Sequence, residues 1–209
     1  MKKIALLSTV AGWMLASCAG NPEGKKAETG DAVGVAADAV GAVYTVDTQN
    51  SQLKWTGNKV TGSHTGTVDI VSGTISVDGD KITGGRFALD LNTITEAAEP
   101  SEWKEKLEGH LKSADFFDVE NHPEATFEIT GVESGEAENG LKVSGDLTIR
   151  GITKNITFDA TVAELTDEAA KVDADFNIAR EDWDVKYAGK PDDLLSKEIN
   201  FKVSLVAKK

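Results

Sequence analysis

From Tyr44 to the C-terminal lysines, apolar side chains recur at every second position, the period at which a β-strand sends successive residues to opposite faces. Tyr44 and Val46, Leu53 and Trp55, Val68 and Ile70, Ile75 and Val77, then Phe87, Leu89 and Leu91 carry the pattern through the first half. Phe127 and Ile129, Leu141 and Val143, Leu147 and Ile149, Ile156 and Phe158 continue it. Val172, Ala174, Phe176 and Ile178, and finally Ile199, Phe201, Val203 and Leu205, complete it. Turn-forming residues stand where reversals are needed, at Asp78-Gly79-Asp80, Glu138-Asn139-Gly140 and Arg150-Gly151. So many half-apolar strands with no long crossover between them make the fold class all-β and mostly antiparallel. Closing the sheet into a barrel buries one face and removes the edges.

One segment breaks the alternation. Pro100 through Glu108 places Trp103 and Leu107 four residues apart, with Pro100 suited to a helix start and Gly109 to its end, which predicts a short helix. His110 to Asp115 adds a further turn before Phe116 and Phe117. Lying between strands that end near Leu91 and begin near Ala125, this insertion sits across an opening of the barrel or against its wall and is the candidate lid.

Upstream of Tyr44 the composition changes. Lys2 and Lys3 precede an apolar run over residues 4–16, the length of a signal-peptide core and too short for a transmembrane span. Cys18 is the only cysteine, and Leu15-Ala16-Ser17-Cys18 resembles the bacterial lipobox. The resemblance implies cleavage before Cys18 and a palmitate-bearing diacylglycerol anchor on it; ordinary secretion is the alternative. Ala19 rather than Asp after the cysteine leans toward the outer membrane, with the domain facing the periplasm. Residues 19–42 hold Gly, Ala, Asp and small valines but no aromatic residue, and read as a flexible tether. The expected organisation is a signal peptide over 1–17, lipidated cysteine and tether over 18–42, and a barrel domain over 43–209, long enough to supply its own core.

Charge and chemistry narrow the function. A formal net charge of −13 opposes nucleic acid and anionic headgroups as partners, and one cysteine excludes disulfide stapling. There is no Gly-x-Ser-x-Gly, no His-Glu-x-x-His, no phosphate-binding glycine loop and no haem-attachment motif. His64, His110 and His122 lack short-range ligand spacing, so no metal is expected. A non-enzymatic protein without a cofactor is the expectation.

Four stretches carry a family resemblance: Val60 to Gly66 (VTGSHTG), His110 to Asp118 (HLKSADFFD), His122 to Phe127 (HPEATF) and Gly145 to Thr153 (GDLTIRGIT). In this order they resemble the YceI-like family, from Tyr44 to about Val206. The resemblance implies an extended, lipocalin-like, eight-stranded antiparallel barrel with the helical insertion, and an apolar interior that holds a polyisoprenoid, an isoprenoid quinone or a similar amphiphile. Residues 177–183 (NIAREDW) depart from the family pattern of Asn-Arg followed by Asp and an aromatic: Ala179 holds the Asn place and Asp184 a usual Gly place. That departure bears on the shape and polarity of one end of the interior.

On this reading the candidate ligand-binding wall comprises Trp55, Phe87, Leu89, Phe127, Ile129, Phe158, Phe176, Ile178 and Phe201, with Phe116, Phe117 and Trp183 near a mouth and His64 as a polar contact to a head group. Ten methylenes buried there contribute about 8 kcal/mol before ordering costs, so a long chain needs few polar contacts. The alternation alone equally describes a core in which these residues pack on one another, and a turn or inter-strand hydrogen bond equally explains His64. Arg150 reads as a turn residue bonded to Asp146 or as a ligand contact; Arg180 pairs with Glu181 or Asp182 or reaches a polar head. Two functions follow: storage or transport of a long-chain amphiphile in the cell envelope, or a non-catalytic envelope scaffold or stress-protective lipoprotein with a packed interior. The partners expected are the lipid ligand and, through Cys18, a membrane; a homodimer or an envelope protein partner is left open.

Overall fold

The structure, a computed structural model, describes residues 19–34 and 39–209; Cys18 and the expected signal peptide lie outside the described residues. The barrel is built from β3 (Ala42–Val46), β4 (Gln52–Lys59), β5 (Gly62–Asp78), β6 (Lys81–Glu96), β7 (Glu124–Ser134), β8 (Gly140–Ile149), β9 (Ile152–Leu165), β10 (Ala169–Ala179) and β12 (Asp193–Lys208). Each strand from β5 to β10 pairs antiparallel with the next, β10 pairs with β12, and β12 returns to β4, so the sheet closes. β3 and β4 share one position: β4 lies on the first half of β5 and β3 on the second, both also touching β12. The result is an eight-stranded antiparallel barrel. A short strand β11 (Gly189–Lys190) folds back on the start of β12.

Several strands are far longer than the apolar pairs in the sequence suggest. β5 has 17 residues and β6 and β12 have 16, so the barrel is elongated. In β5, Val68 and Ile70 point inward at even positions, but Ile75 and Val77 at odd ones, because a bulge falls between Ile70 and Ser72. A bulge inserts one unpaired residue and flips the phase of everything after it. Two apparent strands are therefore one. β7 changes phase the same way between Ile129 and Gly131.

Helix α1 (Glu102–Lys112) joins β6 to β7 at one end of the barrel. The Ser101 side chain caps it by accepting the Lys104 N–H at 3.2 Å, and Glu102 and Glu105 lie favourably in the first turn. Pro100 precedes the cap, and the helix runs through Gly109 to Lys112 rather than ending there. Its inward pair is Leu107 and Leu111; Trp103, expected to pack with Leu107, is 58% exposed. At the opposite end the interior is closed by Tyr44, whose hydroxyl donates to the Thr166 carbonyl at 2.8 Å. Among the described residues no helix is long and apolar enough to cross a membrane.

The segment read as a tether is instead laid against the wall. β1 (Lys25–Lys26) pairs parallel with β10 at Phe176 and Asn177, and β2 (Glu28–Asp31) pairs antiparallel with β9 from Thr157 to Lys154. β9 and β10 pair with each other only from Leu165–Ala170 to Ala160–Ala174, and the segment fills the splay beyond. Ala27 joins the core at 3% exposure, and its N–H donates to the Asn177 carbonyl at 2.8 Å. Asn177, wholly buried, donates to the Pro22 carbonyl at 2.9 Å, and Asp146 accepts the N–H groups of Val33 and Gly34. Composition hid this because backbone pairing with open strand edges needs no apolar side chains.

Candidate functional site

The barrel encloses an apolar cavity of about 320 Å³ that opens at the α1 end. Trp55, Phe87, Leu89, Phe127, Ile129, Phe158, Phe176 and Phe201 all line it. Phe116 and Phe117 close over it from the loop after α1, and His64 stands at its mouth. Phe87, Leu89, Phe127, Phe158 and Phe201 point inward yet are only half-buried, as are Leu141, Val172, Val203 and Leu205. Side chains in a collapsed core would be covered by their neighbours; here the remaining accessible surface faces the cavity.

The aromatic rings follow one another around the wall. Phe158 and Phe176 stack with centroids 4.0 Å apart, and Phe127 to Phe158, Phe176 to Phe201 and Phe87 to Phe127 are separated by 5.6, 6.0 and 6.4 Å. Glycine makes room for them: a Cβ on Gly145 would lie 2.3 Å from Phe127 Cζ.

Two expected residues are elsewhere. Trp183 is not at the mouth and does not line the cavity. It is fully buried in a 3-10 turn (Arg180–Trp183), where its indole N–H donates to the Leu147 carbonyl at 3.0 Å and pins the turn to β8. Ile178, 1% exposed, is also off the cavity, packed in the core near that turn. Conversely, Leu107, Leu111 and Tyr187 line the mouth, outside the wall expected from sequence. The i,i+4 spacing of Leu107 and Leu111 was readable; Tyr187 sits in an irregular segment with no periodic signal.

The polar groups at the mouth are largely paired. Lys59 Nζ meets Asp193 Oδ2 at 2.8 Å, and Thr61 donates to Oδ1 from both its backbone N–H and its hydroxyl. The Lys59 ammonium foremost, aided by Thr61, holds the Asp193 carboxyl below its usual range. His64 Nδ1 lies 2.7 Å from Glu96 Oε1, so it makes the inter-strand bond and also faces the cavity. Among the described residues, Glu96 Oε2 and Trp55 Nε1 are buried without a hydrogen-bond partner. His110 meets the Tyr187 ring edge-on at 4.5 Å, and Lys59 lies over the exposed Trp103 ring.

The arginines separate. Arg150 does not bond Asp146; its Nη1 donates to the carbonyls of Ala114 and Phe116 and holds the loop after α1 in place. Arg180 is 3% exposed and lines the cavity. Its Nε donates to the Ser196 carbonyl at 2.9 Å and its Nη1 to the Val185 carbonyl at 2.6 Å; it forms no ion pair with Glu181 or Asp182. Among the described residues no three His, Cys, Asp or Glu side chains are grouped to hold a metal.

Against known proteins, residues 44–207 match the YceI-like domain. A UPF0312 protein of Pseudomonas putida strain W619 is 35% identical over 137 residues, covering 63% of this chain and 68% of its own. Protein YceI of Escherichia coli O157:H7 is 29% identical over 126 residues, covering 58% of this chain and 63% of its own. Among solved structures, Burkholderia cenocepacia BcnA superposes with a TM-score of 0.64 at 20% identity, covering 78% of this chain and 99% of that one. A Saccharophagus degradans domain described as polyisoprenoid-binding and implicated in plant cell wall breakdown superposes at 0.62 with 19% identity, covering 79% and 97%. The match across nearly the whole barrel, on the fold just described, makes the chain a member of the YceI-like family.

Proposed function

We propose that the barrel binds one long-chain amphiphile, of the polyisoprenoid or isoprenoid quinone class, tail inward and head at the α1 end, for storage or transport in the cell envelope. The observation that carries this reading is the apolar cavity whose aromatic and aliphatic walls remain half-uncovered. The polyisoprenoid-binding description of the Saccharophagus degradans domain supports it. A lipid on Cys18 would keep this mouth near a membrane, since Asn58, which lines the opening, donates to the Gly20 carbonyl at 3.1 Å. Restricting the search volume in that way raises the effective ligand concentration.

A second reading is favoured by the contiguous phenylalanine rings, which pack on one another along the interior wall: a non-catalytic envelope scaffold or stress-protective lipoprotein whose interior serves stability. Native mass spectrometry of the protein purified in mild detergent, followed by organic extraction, separates the two. A near-stoichiometric isoprenoid or fatty amphiphile supports the binding reading. A folded protein that carries no lipid and takes up neither quinones nor fatty acids refutes it and favours the scaffold.

A further inference from the structure

We propose that the head of the bound amphiphile is an anion, a carboxylate or a phosphate monoester, and that Arg180 receives it. The inference rests on the binding reading above and narrows it: a chain with an anionic head takes the place of the neutral quinone that reading also admits. Arg180 is a buried cation in the wall of a largely apolar cavity, and its only protein acceptors among the described residues are the carbonyls of Ser196 and Val185. No carboxylate among the described residues lies within 4.0 Å of its guanidinium. Two carbonyl dipoles orient the side chain but do not neutralise it, and Nη2, which has no protein acceptor among these residues, is not closed off as Trp55 Nε1 and Glu96 Oε2 are but keeps accessible surface. A guanidinium stays charged in proteins, and buried charges ordinarily have a counter-ion.

The neighbouring acids do not fill that role. Asp193 is neutralised by Lys59 and held by Thr61. Glu198 contributes to the lining, but its carboxylate accepts from Asn177 at 3.0 Å beneath the N-terminal segment. Glu181 is near enough to oppose the lowering that burial imposes on the Arg180 pKa, but not to pair with it. A ligand anion at the mouth would supply the missing counter-charge to the free edge of the guanidinium, in the geometry that suits carboxylate and phosphate oxygens. An alcohol or quinone head would accept a hydrogen bond and leave the charge uncompensated.

The test is a comparison of matched chains on the intact protein by competition binding at pH 7.5: hexadecanoic acid against its methyl ester, and hexadecyl phosphate against hexadecanol. The expected result is tighter binding of at least one anion than of its neutral partner by about tenfold to a hundredfold, the range of a charge-assisted hydrogen bond. A preference in the phosphate pair alone assigns a phosphorylated lipid as the source, and one in the acid pair a fatty carboxylate. Arg180→Gln should abolish the preference while the neutral chains still bind; should Arg180→Gln fail to fold, Lys190→Gln, which removes the other lining cation without a carboxylate partner among the described residues, should leave the preference intact, and its loss there would overturn the assignment. Equal binding within both pairs, or a preference that survives in folded Arg180→Gln, overturns the inference and leaves the cavity reading standing. Binding of no chain at all overturns the inference, and the cavity reading with it where a quinone is not taken up either.

Discussion

Replacing Ala174 with leucine asks whether the barrel interior has room. Ala174 lies on β10 opposite Ala160 on one side and Val203 on the other, and all three line the cavity. Ala174→Leu adds three carbon groups to the wall at that level. In a cavity of about 320 Å³ they meet open space and cover apolar surface, contributing about 2.4 kcal/mol at about 0.8 kcal/mol per methylene. Ordering the new side chain costs about 0.5–1 kcal/mol. The net expectation is a stabilisation of about 1.5 kcal/mol, seen in urea as a midpoint raised by about 0.5–1 M with unchanged slope. The same substitution in a filled core would force neighbours off their rotamers and cost about 1–3 kcal/mol. The sign therefore decides, and uptake of a C16 chain should fall as stability rises. A lowered midpoint at constant slope would refute the reasoning, because it would mean that the wall at Ala174 has no space beyond it.

Gly145→Ala should destabilise the barrel by about 1–3 kcal/mol, because the new Cβ collides with the Phe127 ring and approaches the Glu128 carbonyl at 2.8 Å; denaturation of the Gly145→Ala, Phe127→Leu double variant should recover much of that loss. Trp183→Phe keeps most of the packing but leaves the buried Leu147 carbonyl without its donor, and calorimetry should register a loss of about 1–3 kcal/mol; an unchanged melting temperature would contradict the pinning role. Burial works to raise the Asp146 carboxyl, yet hydrogen bonds from Asn155, Gly34 and Val33 outweigh it and hold the group below its usual range. A depressed native pKa means that this contribution is complete above the unfolded value near pH 4 and is lost as pH falls through the native one. Exchange protection of the Val33 and Gly34 amides should accordingly drop below about pH 4 in the wild type. Asp146→Asn should lack that dependence, and protection that is flat down to pH 3 in the wild type would count against it.

The period-two pattern identified the fold class and most of the wall, because one face of every strand must be apolar whether it meets a core or a cavity. For the same reason it left Phe87, Phe127 and Phe158 undecided between packing and lining: the difference lies in what stands opposite, at long sequence separation. Strand number was obscured by the bulges in β5 and β7, where one extra residue reverses the face and a continuous strand reads as two. Sequence alone does not place Trp183, because an aromatic beside a strand end suits a rim and a plug equally, and only its bond to Leu147 distinguishes them. The N-terminal segment reads as a tether in sequence because its attachment is made by backbone groups and by Asn177 and Asp146, which carry no periodic signature.

That attachment also orders events in time. Residues 22–34 precede the barrel in the chain, yet their partners Asp146, Asn177 and the β9 edge lie more than a hundred positions later, 155 in the case of Pro22 and Asn177. Docking closes loops nearly as long as the one that brings β3 to β12, and it needs β9 and β10 already splayed beside each other, so a segment made before the barrel finds its place only after those strands have formed. Until then it is an unpaired strand available to whatever meets the nascent chain. Interactions formed after the folding barrier act on the way out rather than the way in: loosening this segment should leave the folding rate nearly unchanged and shorten the lifetime of the closed barrel, and with it the enclosure of any chain held inside.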